Sequence, residues 1–355
     1  MAQERTFSDA KLPFEIARPF HLLAKPAGAA CNLGCQYCFF LSKEKLYGER
    51  ESPLMSEATL TQYMEQLFAA TPGRDVQVAW QGGEPMLRGL DFFRRSVELA
   101  ERLRKPHQHV LHTLQTNGTL IDDEWAAFFK RNNYLVGLSI DGPRDLHDAY
   151  RIDKKGKSSF DEVVRGWKLL QKHGVDTNVL CTIHARNADH PLDVYRFFRD
   201  ELGARYIQLI PIVERATDET IDLANRGWGG TKGKDRPLYR QEGSLVTDRT
   251  VSAEKFGQFL IAIFDEWVKR DVGTVYVTTF DVALGSWLGQ HNACIVAPTC
   301  GGALVMEHNG DVYSCDHFVE PDYKLGNVKK TPLALLVNSE KQRRFGENKY
   351  ESLPQ

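Results

Sequence analysis

Short apolar runs of β type alternate with stretches of helical period through the first two thirds of the chain. His21-Leu22-Leu23-Ala24, Val76-Gln77-Val78-Ala79-Trp80, Val110-Leu111-His112-Thr113-Leu114, Leu135 to Ile140, Thr177 to Ile183 and Tyr206 to Ile210 read as strands. Ser56 reads as the N-cap of a helix that turns Leu60, Tyr63, Met64 and Leu67 to one face. Further helices are predicted over 90–103, 122–130, 160–173 and 192–202. Repeated strand–helix units give a parallel sheet with right-handed crossovers, as a partial barrel or an open doubly wound sheet. In both, the chemistry belongs at the C-terminal ends of the strands. The residues there are small or polar: Gln81-Gly82-Gly83-Glu84-Pro85 after the second strand, Gln115-Thr116-Asn117-Gly118 after the third, Ser139-Ile140-Asp141-Gly142 after the fourth.

The alternation breaks from Glu214 to Asp248, a polar segment containing Gly227-Trp228-Gly229-Gly230 and Gly233. It lacks the lysine–serine/threonine ending of a phosphate loop and is expected to be a mobile loop or linker. An amphipathic helix over 252–269 follows, with Phe256, Phe259, Leu260, Ile263 and Trp267 inward. Val305 to Tyr313 reads as a β-hairpin turning at Asn309-Gly310.

At 355 residues and 42% hydrophobic, the chain suits one large α/β domain with a smaller one. A net charge of −2 argues against nucleic acid or a membrane surface as partner. The first residues show no secretory signal, and no apolar run reaches membrane-spanning length. Seven cysteines, an odd number, suit a reducing cytoplasm better than a disulfide framework.

Cys31-Asn32-Leu33-Gly34-Cys35-Gln36-Tyr37-Cys38 follows the first strand. Such a loop can present three thiolates to three irons of a cube-shaped cluster and leave the fourth iron open. Zinc and inert thiols are the other readings of the same spacing. Cys294, Cys300 and Cys315 form a second group, with Cys300 and Cys315 drawn together by the hairpin. A second cluster, a zinc site completed by His317, or scattered buried thiols are all open there. Asn117-Gly118 reads equally as a plain turn. His147, His173 and His184 lack ligand-like spacing and read as loop, surface and strand residues. Cys181 reads as a small buried hydrophobe.

The cysteine loop resembles the signature Cys-x-x-x-Cys-x-aromatic-Cys of the radical S-adenosylmethionine (SAM) enzymes. The later cysteines and hairpin resemble their SPASM extension. Lys25-Pro26, Gln81 to Pro85, Leu114 to Thr119, Val136 to Pro143 and Cys315-Asp316 are together similar to the anaerobic sulfatase-maturating enzymes. This resemblance implies a partial (β/α)6 TIM-like barrel over 21–250, after an N-terminal extension (1–20) and before a small SPASM-like region (251–355). It implies that Cys31, Cys35 and Cys38 hold the [4Fe-4S] cluster that cleaves SAM to a 5′-deoxyadenosyl radical. Gln81, Gly82, Gly83, Glu84, Ser139 and Arg151 would bind that cofactor, with Glu84 near its amino group and Arg151 at its carboxylate. Cys294, Cys300 and Cys315 would ligate an auxiliary [4Fe-4S] cluster, and Asp316 would be the catalytic base.

The implied reaction is oxidation of a cysteine or serine of an unfolded sulfatase to Cα-formylglycine, with flavodoxin or ferredoxin as electron donor. The family's further cysteines would begin near Leu353-Pro354-Gln355, so a C-terminally truncated product or fragment is expected. Two rivals stand beside this reading. One is a SPASM-type maturase that crosslinks or epimerises another peptide. The other is a non-catalytic iron–sulfur or zinc-binding scaffold.

Overall fold

Strands and helices follow one another in the predicted alternation in the computed structural model, which describes residues 19–48, 52–71, 73–228, 238–290 and 293–352. The expected N-terminal extension up to residue 18, Gly229, Gly230, Gly233 and the closing Leu353-Pro354-Gln355 lie outside these residues. The chain makes two compact units, one from the described parts of 1–28, 50–113 and 293–355, the other from those of 29–49 and 114–292.

In the first unit, β1 (His21–Ala24) lies between β2 (Asp75–Trp80) and β10 (Ala303–Met306) and runs parallel to both. β10, β11 (Asp311–Tyr313) and β12 (Lys324–Asn327) continue as antiparallel neighbours, and β3 (His109–Thr116) lies beyond β2. The helix Glu57–Ala70 starts where the Ser56 hydroxyl accepts the Thr59 N–H, and it buries Leu60, Tyr63, Met64 and Leu67 as its period predicts. The helix Leu90–Leu103 sets Phe92 and Phe93 edge-on to Trp80, with ring centroids 5.4 and 5.9 Å away. Each such buried ring contributes about 1.5–3 kcal/mol. The β10–β11 hairpin closes through Glu307 to Gly310, with only Gly310 at positive φ (+91°). It is therefore a wider turn than the two-residue Asn-Gly type, which needs positive φ at both centres.

In the second unit, β4 (Tyr134–Ser139), β5 (Asp176–Ile183), β6 (Tyr206–Pro211) and β9 (Tyr276–Val277) run parallel in that order. The helix Asp123–Arg131 precedes β4 and the helix Phe160–Lys172 stands between β4 and β5, as predicted. The helix predicted over 192–202 starts at Pro191 and widens into a π-turn over Phe197–Glu201. The helices Ala253–Arg270 and Thr278–Trp287 belong to this unit too.

The described residues of the 214–248 segment are packed, not a free linker. β7 (Arg215–Ala216) pairs with β8 (Leu245–Val246), and Ala216, Ala224, Trp228 and Tyr239 make a small core with Phe39. A buried Glu214–Arg249 ion pair (3.0 Å) braces it, and Glu214 also accepts the Trp228 indole N–H at 2.6 Å. Among the described residues no helix is long and apolar enough to cross a membrane.

Candidate functional site

The cysteine loop of the second unit is tied down by its backbone. Leu33 bridges Asp153, the Gly34 N–H reaches the Ile152 carbonyl at 2.9 Å, and the Gln36 N–H reaches that of Tyr150 at 3.0 Å. From the other side the Trp228 N–H donates to the Gln36 carbonyl at 2.7 Å. Lys43, fully buried just beyond the loop, donates to the Tyr239 carbonyl at 2.8 Å.

None of Cys31, Cys35 and Cys38 is in a disulfide. Cys31 Sγ accepts the Leu33 N–H at 3.4 Å and the Asn117 amide at 3.7 Å. Burial pushes the Cys35 thiol up to about 12, against the pull of the nearby Arg151 guanidinium. N–H donors on one sulfur and a cation near another suit a thiolate-held anionic group, and the loop fits an iron–sulfur cluster on this count. Among the described residues no three Cys, His, Asp or Glu side chains are grouped to hold a single metal ion.

Beside the loop lies Asp141, fully buried just past the end of β4. It accepts the Tyr37 hydroxyl, the Thr182 N–H at 3.0 Å, and Arg151 through Nε at 3.3 Å and Nη2 at 3.2 Å. Burial would raise its pKa, but the Arg151 charge reverses that and holds it below the usual carboxylate range. Arg151 is thus an inward-facing residue rather than a solvated one. Ser139 closes β4, its hydroxyl accepting from Gln115 at 2.9 Å.

His147, at the end of the short helix Arg144–His147 rather than in a loop, and His184, just past β5, are fully buried around the same carboxylate. His147 Nδ1 accepts the Asp141 N–H and its Nε2 meets the Ser159 hydroxyl at 3.0 Å. His184 Nδ1 accepts the N–H groups of Arg186 and Asn187. Burial lowers His147 to about 3 and His184 to about 4, so both are neutral supports. His173 pairs with Asp123 near the surface, and Cys181 is buried as expected. Sequence reasoning did not single out Asp141 or Asn32. The only available signal was their position at strand ends and beside a cysteine.

The remaining candidates lie in the first unit. Gly82 (φ +126°) follows β2, and a Cβ there would stand 2.8 Å from the Gly28 carbonyl oxygen, which accepts the Gly83 N–H at 2.9 Å. Gln81 anchors the turn through its N–H to Ala24. The buried Glu84 carboxylate accepts the Met86 N–H at 3.0 Å and so caps the short helix Pro85–Arg88. Lys25, fully buried, ion-pairs with Glu307 at 2.9 Å and with Asp316 at 2.8 Å. Burial would lower the lysine, yet the two carboxylates outweigh it and raise its pKa above the ordinary value. Glu307 is correspondingly held below the usual range by Lys25 against its own burial.

Cys300 and Cys315 are half-buried and Cys294 is exposed. Burial pushes the Cys315 thiol up to about 11, and the charges of Asp316, Cys294 and Cys300 add to it. Cys300 and Lys349 line an open cleft of about 730 Å3, and the Lys349 ammonium donates to the carbonyls of Cys294, Ile295 and Ala297.

Residues 26–198 match the radical SAM superfamily and residues 298–355 match an iron–sulfur cluster-binding domain (SPASM). Fold and cysteine groups thus define a radical SAM enzyme with iron–sulfur clusters and SAM as its cofactors. The chain is 44% identical to the serine-type anaerobic sulfatase-maturating enzyme of Bacteroides thetaiotaomicron, over 96% of this chain and 79% of that one. It is 32% identical to the cysteine-type anaerobic sulfatase-maturating enzyme of Clostridium perfringens (strain 13), over 92% and 82% of the two chains. Its structure matches that of native anSMEcpe with bound AdoMet at a TM-score of 0.80 and 30% identity, covering 94% and 84%. The chain belongs to the anaerobic sulfatase-maturating enzyme family.

Proposed function

We propose that the protein oxidises a cysteine or serine side chain in an unfolded sulfatase segment to Cα-formylglycine. The observation that carries this reading is the continuous likeness to an enzyme of that activity over 96% of the chain. Cys31, Cys35, Cys38 and Asp316 stand at the family's motif positions. Bound together, a [4Fe-4S] cluster and SAM supply a carbon-centred radical that takes a hydrogen atom from an unactivated side chain.

Cys31, Cys35 and Cys38 hold that cluster. Arg151 binds the cofactor carboxylate, and Gln81, Gly82, Gly83, Glu84 and Ser139 bind and orient the rest of it. Asp316 accepts the proton of the substrate hydroxyl or thiol. Loss of one hydrogen atom, one proton and one electron makes a two-electron oxidation; Cys294, Cys300 and Cys315 would hold an iron–sulfur group that would supply the electron acceptor. Serine gives the aldehyde directly. Cysteine gives a thioaldehyde that water converts to the aldehyde with release of hydrogen sulfide. The higher identity to the serine-type relative favours serine. The external reductant is a flavodoxin or ferredoxin, and the compartment is the cytoplasm, where the thiols stay reduced.

Anaerobic reaction with SAM, a reductant and sulfatase peptides tests this by mass spectrometry. A serine peptide should lose about 2 Da and a cysteine peptide about 18 Da. Both products should react with a hydrazine probe, which separates an aldehyde from a crosslink of the same mass. SAM cleavage without an aldehyde in either peptide overturns the proposal.

A further inference from the structure

We propose that Asn117 is a positioning residue for the cluster loop: its side-chain amide donates an N–H···S hydrogen bond to Cys31 and thereby raises the reduction potential of the cluster held there. The inference rests on the reading that Cys31, Cys35 and Cys38 hold a cluster.

The orientation of the amide is fixed by chemistry rather than by choice. Asn117 Oδ1 accepts the backbone N–H of Thr119 at 3.0 Å and the Thr119 hydroxyl at 2.8 Å. A peptide N–H only donates, so the atom facing it is the oxygen and the other amide atom is the NH2 group. That nitrogen faces two acceptors, Asn32 Oδ1 at 2.9 Å and Cys31 Sγ at 3.7 Å. One hydrogen goes to each.

Asn32 is fixed in the same way, because its own amide nitrogen donates to the Thr119 hydroxyl oxygen at 2.8 Å. Asn32, Asn117 and Thr119 close a three-membered ring of hydrogen bonds. Within it Thr119 gives its proton to Asn117 and accepts from Asn32. Asn117 and Thr119 are both buried, at 7% and 5% exposure, so water does not compete for these donors. The Leu33 N–H reaches the same sulfur at 3.4 Å, giving Cys31 two N–H donors.

The turn that carries Asn117 is itself constrained. Gly118 sits at φ +77°, and Gly166 packs against its carbonyl so closely that a Cβ would overlap it. Donors aimed at a cluster thiolate withdraw charge from it and favour the more negative, reduced form of the cluster. Removing one makes the cluster harder to reduce.

The experiment is a redox titration of the anaerobically reconstituted full chain, followed by electron paramagnetic resonance. The signal that changes on adding SAM identifies the cluster on Cys31. Asn117→Ala should move its midpoint to a more negative potential, and Asn117→Asp further, because a carboxylate then faces the thiolate. Asn32→Ser leaves the Thr119 N–H clamp on Asn117 and should move it less than either. A second reading uses wild-type protein with 15N in its asparagine side chains. A nitrogen coupling to the reduced cluster, surviving Asn32→Ser, supports the bond even where Asn117→Ala assembles no cluster. Absence of that coupling, or an unchanged midpoint in Asn117→Ala, overturns the inference alone. Wild-type protein that assembles no SAM-responsive cluster overturns the cluster reading and this inference with it.

Discussion

The guanidinium of Arg151 is held by the carboxylate of Asp141 at 3.2 and 3.3 Å, with both side chains shut away from water. Asp141 also takes the hydroxyl of Tyr37, the neighbour of Cys38. One carboxylate therefore positions both the aromatic of the loop and the arginine assigned to the cofactor. Asp141→Asn keeps the shape and removes the charge, leaving Arg151 buried without a counter-ion. The expected loss is about 3–5 kcal/mol of folding stability. Adding Arg151→Met should restore part of it, a non-additivity that denaturant unfolding of the two single variants and the double variant measures directly. Simple additivity would sink the pairing.

Lys25 stands in the same relation to Asp316, and here the charges are unequal: one buried ammonium serves Glu307 and Asp316. Lys25→Met leaves two carboxylates facing each other and should cost several kcal/mol. Lys25→Met with Glu307→Gln removes one charge of each sign at the buried pair and should recover most of that stability. It leaves Asp316 without the cation that holds it. We expect the double variant to cleave SAM at near the normal rate while formylglycine falls at least tenfold. Equal formylglycine per SAM cleaved in the double variant and the wild type would show that Lys25 is only a structural cation.

How much of this was legible from the sequence depended on whether a residue's partner lay nearby along the chain. The alternating strands and helices were, because burial imposes period 2 or 3.6 on the residues that feel it. The Ser56 cap was legible for the same reason, its partner being Thr59. Asn117 showed its local bond to Thr119, which looks like an ordinary turn; its bond to Cys31 spans 86 residues and leaves no local mark. His147 and His184 were read as a loop and a strand residue; their burial around Asp141 left no mark, because a buried neutral histidine and an exposed one have the same letter. The described residues of the 214–248 segment hid their order in another way. Their core is small and its main brace is the Glu214–Arg249 ion pair, so neither hydropathy nor period betrays it. Cys31, Cys35 and Cys38 were the opposite case: the three cysteines lie within eight residues, so the group was visible in the sequence, while the choice of a cluster over zinc rested on the family resemblance.

Two glycines should respond in opposite directions to the same substitution. Gly166 lies on the helix Phe160–Lys172 with the Gly118 carbonyl where its Cβ would go. Gly166→Ala must push that turn away and should cost about 1–3 kcal/mol, with a lower cluster content because Asn117 shifts with it. Gly257 lies inside the helix Ala253–Arg270, and a methyl group added there would meet nothing within 4 Å. Gly257→Ala should stabilise by about 0.5–1 kcal/mol through lost unfolded-state freedom alone. Thermal unfolding of the pair reads both signs.

Acid should destabilise the fold well before its carboxylates protonate. His112, His147 and His184 are buried and neutral, lowered by burial to about 4, 3 and 4 from an ordinary value of 6.5. Between those values and 6.5 the unfolded chain binds protons that the folded chain refuses, so unfolding becomes easier as pH falls through that window. Each histidine contributes a slope of up to about 1.4 kcal/mol per pH unit. Asp141, held low by Arg151, adds a loss of the same sign only at lower pH, beneath the unfolded carboxylate value of 3.8. Denaturant unfolding at pH 7 and pH 5.5 should show the fall, and His147→Gln should shrink it. Glutamine can still accept the Asp141 N–H and donate to Ser159, so the packing is largely kept while the titration is gone. A variant as acid-sensitive as the wild type would mean that His147 is protonated in the folded protein.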